Sequence, residues 1–155
     1  MKAKHAIKTL ALSALLLSPL AQANLNVMPH EPYARAMAPG AVTSAVFVTF
    51  ANRSQEDINI VAAETPVAGK VELHDVIKEG DMMKMRQVDH ITLAAKGTTE
   101  LKPGSLHIML FDLKQPLNEG DEIEVTVTYD NGQKQSFTAP VKKVMAGMKK
   151  HEHHH

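Results

Sequence analysis

His74, Met85, His107 and Met109 bring together the donor atoms on which a function for this chain can be built. Ten residues separate His74 from Met85, twenty-one separate Met85 from His107, and one separates His107 from Met109. Two imidazoles and two thioethers form a neutral, soft donor set, and thioether sulfur selects Cu(I) over harder ions. Zinc prefers thiolate, imidazole and carboxylate, so thioethers suit it poorly. The chain has no cysteine to compete for the metal. If the four side chains converge, they make a four-coordinate N2S2 site for Cu(I). The thioethers carry no proton at any working pH. The imidazoles have a reference pKa of about 6.5, so affinity should fall in acid.

Convergence depends on the elements that carry the four residues. His107 and Met109 lie two apart in the run 106–113 (LHIMLFDL), so a strand projects both from one face. His74 lies in 70–78 (KVELHDVIK) and Met85 in 82–88, on either side of Glu79-Gly80-Asp81. If residues 78 and 81 pair across Glu79-Gly80, His74 stands opposite Met85, with Cβ atoms about 4.5–5.5 Å apart. A slip of one residue would turn Met85 to the other face. Met83 shares the face of Met85 and is expected to pack around the site, whereas Met82 does not share it. Glu72 and Asp75 flank His74, and either is a candidate partner to fix the imidazole tautomer, though strand alternation points both to the opposite face.

The rest of the chain reads as short β-strands. Residues 42–51, 58–63, 122–129 and 135–144 are further β-type runs, after a Pro-rich segment over 24–41 that reads as irregular or extended. Gly69, Gly80, Gly97, Pro103-Gly104, Gly120-Asp121 and Asn131-Gly132 mark turns, and Asp130-Asn131-Gly132 between two alternating runs is a hairpin signal. Six to nine strands at this spacing, with no sustained helical period, predict an all-β antiparallel sandwich or barrel.

Composition narrows the function classes. Lys2, Lys4 and Lys8, the apolar run 10–17 and Ala21-Gln22-Ala23 form the pattern of a cleaved signal peptide over residues 1–23. This segment is too short and wrongly flanked for a transmembrane anchor. Its removal leaves one domain over 24–144 and a tail over 145–155, with 14 basic against 17 acidic side chains. That balance, without a basic run, points away from nucleic acid and from membrane insertion. The lack of cysteine excludes a disulfide framework, a blue-copper centre and thiol–disulfide exchange. No nucleophile–base pattern or phosphate-cradling loop marks an enzyme.

The spacing H-x10-M-x21-H-x-M resembles the signature of the periplasmic PCu(A)C copper chaperones. Its flanks match too: VELHDV (71–76), DMMKMRQV (81–88), LKPGSLHIML (101–110), LKQPLNEGD (113–121) and YARAMAPG (33–40), where Tyr33 replaces the usual Trp. The resemblance covers about residues 30–144. It implies a cupredoxin-like antiparallel Greek-key β-sandwich, periplasmic, that holds Cu(I) through His74, Met85, His107 and Met109; apart from the resemblance, nothing in the sequence argues strongly against a monomer. The resemblance also implies copper delivery to periplasmic or membrane-anchored acceptors. These would be oxidase assembly factors or the oxidase subunit bearing CuA, in cytochrome c oxidase assembly. Four protein ligands leave no open position for a substrate, so no enzyme activity is expected.

The tail holds Met145, Met148, His151, His153, His154 and His155, a candidate second copper site. Clustered imidazoles with Glu152 suit Cu(II). Some members of the resembling family carry such an extension. His30 and His90 stand alone and carry little information. Two other readings remain: a copper-sequestering resistance protein with no dedicated recipient, and a metal-free sandwich that binds peptide along an edge strand.

Overall fold

A computed structural model describes residues 26–144. The expected signal peptide and the tail residues Met145, Met148, His151, His153, His154 and His155 lie outside them. The described residues form ten strands and no helix: β1 (Val27–Arg35), β2 (Ser44–Asn52), β3 (Ile58–Glu64), β4 (Ala68–Glu79), β5 (Met82–Gln87), β6 (Ile91–Leu93), β7 (Thr98–Leu101), β8 (His107–Leu113), β9 (Glu122–Tyr129) and β10 (Lys134–Lys142). The hydrogen-bonded order is β5-β4-β8-β2-β1-β10-β9-β3-β6, with β7 on the far half of β2. All pairings are antiparallel except β1 with β10, where Ala34 lies beside Val141. That one parallel seam joins two packed layers.

Alternation places the core between the layers. Ile123, Val125, Val127 and Tyr129 of β9 are buried at every second position, as are Phe137, Ala139 and Val141 of β10. They meet Val46, Val48 and Phe50 of β2, Leu73 of β4 and Ile108 and Leu110 of β8 in one apolar cluster. Phe50 and Phe137 meet edge-to-face across the layers, with ring centroids 6.1 Å apart. The Asn131-Gly132 hairpin forms as expected. Tyr129 N–H donates to the Gln133 carbonyl, and Asn131 Oδ1 accepts from Gln133 N–H.

Three strands exceed the sequence reading. The Pro-rich segment contains the nine-residue β1, in which Pro29 lies opposite Phe50 of β2 and Pro32 falls within a bulge. The register of β1 to β2 shifts between His30 and Tyr33, and Glu31 takes φ 49°. Strands β6 and β7 are only three and four residues long, too short to show a period.

Strand β2 is buried on both faces at its centre. Val46 and Val48 enter the core, while Ala45 and Phe47 lie under the outer face of the sheet. That outer face positions the four donor residues.

Candidate metal centre

The outer face of β4 and β8 brings two histidines together. His74 and His107 are direct cross-strand partners, with ring centroids 5.7 Å apart. Met109 follows His107 on the same face of β8, between Glu72 of β4 and Ala45 of β2 in the ladder. The small Ala45 leaves the space above it open to the thioether. Phe47 supports His107 from β2, at 6.3 Å between centroids, and Phe111 flanks His74 at 5.8 Å. The pair therefore sits in an aromatic frame and is largely shielded from solvent, His107 being buried and the His74 side chain 12% exposed.

Met85 comes from β5, in a register that differs from the expected one. Glu79 pairs with Met82 across Gly80-Asp81, so His74 faces Gln87 and Met85 faces Val76. Gly80 takes φ 62° at the first central position, as a two-residue type II′ hairpin requires. The slip from the expected pairing is two residues, so Met85 stays on the face of His74. Met85 and Met109 are each diagonal neighbours of His74, one on each adjacent strand. Diagonal positions lie about 7–8 Å apart, within reach of long side chains. Met85 is 56% exposed, and the other methionines of β5, Met82 and Met83, are exposed as well.

Hydrogen bonding gives each ring a distinct orientation. His107 Nδ1 lies 2.8 Å from the Ser105 carbonyl. His74 Nε2 lies 2.7 Å from Glu72 Oε2, and Lys70 holds the other Glu72 oxygen at 3.4 Å. Glu72 thus shares the face of His74, contrary to the sequence expectation, because residues two apart on a strand project together. Asp75, one residue away, turns back to the backbone N–H of Val76. The hydrogen bond from His74 holds the Glu72 carboxyl below the usual range, helped by Lys70. Burial pushes the His107 imidazole below its ordinary pKa, against the Ser105 hydrogen bond and with help from the nearby His74 and Arg35.

Among the described residues three buried side-chain atoms lack a partner, Arg35 Nε, Thr65 Oγ1 and His74 Nδ1, and the last belongs to the candidate site. His74 Nδ1 is shielded from solvent and makes no hydrogen bond. A buried polar atom without a partner costs about 1–3 kcal/mol, a penalty that metal coordination would remove. The donor set fits soft copper. Among the described residues no three of His, Asp and Glu are grouped to hold a metal. Thioethers would have to complete the coordination. The remaining isolated histidines, His30 and His90, are exposed and apart from this cluster.

Residues 27–141 match the family described as "Putative lipoprotein LpqE-like". The chain belongs to the LpqE-like family. A relative in this group, the "Putative lipoprotein Lxx21020" of Leifsonia xyli subsp. xyli, is 30% identical over 106 residues, covering 68% of this chain and 64% of its own. The "Uncharacterized protein RP573" of Rickettsia prowazekii is 34% identical over 89 residues, covering 57% and 49%. The chain thus spans about half to two thirds of the length of these curated relatives. Among solved structures, Cu(I)-bound DR1885 of Deinococcus radiodurans superposes with TM-score 0.63 at 32% identity, covering 76% of this chain and 78% of that one. The copper-bound PCuAC domain of PmoF2 superposes with TM-score 0.66 at 17% identity, covering 77% and 94%. These likenesses bear out the cupredoxin-like all-β fold.

For this LpqE-like chain, Glu72 is a candidate partner of His74 that was expected on the opposite face, and the other supporting residues were not foreseen. Glu72 carried a readable signal in its i, i+2 spacing to His74. The Ser105 carbonyl and the Phe47 platform carried none, since backbone acceptors and cross-strand neighbours depend on register.

Proposed function

We propose that this protein is a periplasmic copper carrier. It binds one Cu(I) through His74, Met85, His107 and Met109 and releases it to an acceptor by ligand exchange. The observation that carries the reading is the direct pairing of His74 with His107, with a methionine diagonal to His74 on each neighbouring strand. Soft, neutral donors of this kind match Cu(I). The likeness to Cu(I)-bound DR1885 supports copper as the cargo, and the lipoprotein names in the family support export. The exposed Met85 gives an acceptor an accessible ligand to displace first, which favours delivery over sequestration. We take the recipient to be an oxidase assembly factor or the CuA subunit of cytochrome c oxidase, and the His- and Met-rich tail to be a second site for Cu(II).

Each ligand has a separate task. His107, 4% exposed, provides a fixed imidazole. His74 joins it across the ladder. Met109 packs beside Ala45, and Met85 closes the set from the hairpin. No bond in the protein is made or broken, and copper remains Cu(I) while donors are exchanged one at a time. The test is anaerobic competition for Cu(I) with a chromophoric chelator, followed by transfer to a soluble CuA domain. One Cu(I) should bind to the wild type, weaken by at least tenfold in Met85→Ala/Met109→Ala, and move to the acceptor. Equal binding by the double variant would defeat the four-ligand site. Tight binding without transfer would make the protein a sequestering one.

A further inference from the structure

We infer that His74 and His107 present different ring nitrogens to copper, His74 through Nδ1 and His107 through Nε2, and that Glu72 is the positioning residue that sets the first. The inference rests on the His2Met2 reading above and specifies its chemistry. A neutral imidazole carries one N–H and one lone pair. The carbonyl of Ser105 has no proton to give, so the 2.8 Å contact requires that His107 Nδ1 donate. Its lone pair is therefore on Nε2.

The same reasoning gives the opposite result for His74. The Glu72 carboxylate accepts at 2.7 Å, so His74 Nε2 donates and the lone pair is on Nδ1. That nitrogen is the one found buried and without a partner. The hydrogen bond at Nε2 and the lack of any partner at Nδ1 thus agree on the same atom. Glu72 is itself restrained, because Lys70 engages Oε1 while His74 engages Oε2. It sits beside Met109 in the ladder, on the face of the four donors. With both oxygens engaged it acts through His74, and its part is to fix the tautomer and hold the ring. Carboxylates that orient metal-bound histidines in this way typically change metal affinity by about 10–100-fold when removed.

The experiment uses the full chain with 15N-labelled histidine, its signals assigned through single histidine variants. Silver(I) serves as the diamagnetic probe in place of Cu(I). In the metal-free protein, long-range proton–nitrogen spectra should show His74 protonated on Nε2 and His107 on Nδ1. With silver, metal–nitrogen coupling should appear on His74 Nδ1 and His107 Nε2. Glu72→Ala should mix the His74 tautomers and weaken Cu(I) binding about 10–100-fold, whereas Glu72→Gln, which keeps an acceptor oxygen, should restore the tautomer. Silver coupling on His74 Nε2, or a His74 tautomer unchanged in Glu72→Ala, would overturn the inference and leave the four-ligand site standing. No coupling to either histidine would overturn both.

Discussion

Two hairpins in this protein share the same antiparallel ladder and differ in what holds them. The β9–β10 hairpin alternates strictly, and seven of its side chains enter the core: Ile123, Val125, Val127, Tyr129, Phe137, Ala139 and Val141. The β4–β5 hairpin pairs over six positions, yet every residue of β5 is exposed and three of them are methionine. Ladder hydrogen bonds contribute little net stability, since water replaces them in the unfolded chain. Apolar burial stabilises by roughly 25 cal/mol per Å². The first hairpin is therefore scaffold. In the second, β4 is held by β8 and by Leu73 in the core, whereas β5 is an arm with few buried contacts, the condition under which a segment opens locally at small cost. The proposed carrier role would use both: a fixed histidine pair and a ligand that can leave.

The comparison breaks most visibly by truncating one side chain in each hairpin. Tyr129→Ala should cost about 3–5 kcal/mol, as deletion of a buried aromatic does, whereas Met85→Ala should stay within about 0.5 kcal/mol. Urea denaturation of the metal-free protein checks both. A comparable loss in the two variants would mean that β5 is part of the core after all.

Copper should narrow the gap between the hairpins. At free Cu(I) one hundred times the dissociation constant, binding adds about 2.7 kcal/mol to global stability. It should also slow amide exchange along β5, since Met85 then ties the arm to the histidine pair. Exchange measured with and without Cu(I) tests this. If β5 exchanges equally fast in both, Met85 is not a ligand.

A smaller effect sharpens the distinction between arm and scaffold at their turns. Gly80 and Gly132 both take positive φ, 62° and 83°. Alanine at either should cost about 1 kcal/mol or somewhat more. At Gly132 the cost should appear in global unfolding. At Gly80 it should appear as faster exchange of β4–β5 amides with little change in the urea midpoint.

The smallest effect comes from His107. Its folded-state pKa lies below the unfolded value because burial penalises the charge. The unfolded chain therefore takes up the proton first, and metal-free stability should hold above about pH 6.5 and fall as pH drops through that value toward the folded pKa. Subtracting the profile of His107→Asn isolates the contribution. No difference between the profiles would count against a desolvated imidazole at this position.

The shared face of the four candidate residues was legible in the sequence because the face of a strand depends only on parity. His107 and Met109 share a face whatever pairs with them, and Met85 kept its face despite the two-residue slip at Gly80-Asp81. The slip itself was not legible, since Glu79-Gly80 and Gly80-Asp81 are both plausible turns. It matters because it moves Met85 from opposite His74 to diagonal. Strand β1 was hidden by Pro29 and Pro32, which read as irregular; Pro29 lies opposite Phe50 of β2 and Pro32 falls within the bulge before Tyr33. Glu72 was a candidate partner of His74 in the sequence, and only its face was misjudged, since the i, i+2 spacing places it beside His74.

The central claim is that four side chains, Met85 included, bind one Cu(I). X-ray absorption on the Cu(I)-loaded protein tests it most directly, comparing wild type with Met85→Leu and Met109→Leu. The account predicts two sulfur and two nitrogen scatterers in the wild type, and one sulfur fewer in each variant. Unchanged sulfur scattering in Met85→Leu would contradict it, because the exposed arm would then contribute no ligand and the centre would rest on β4 and β8 alone.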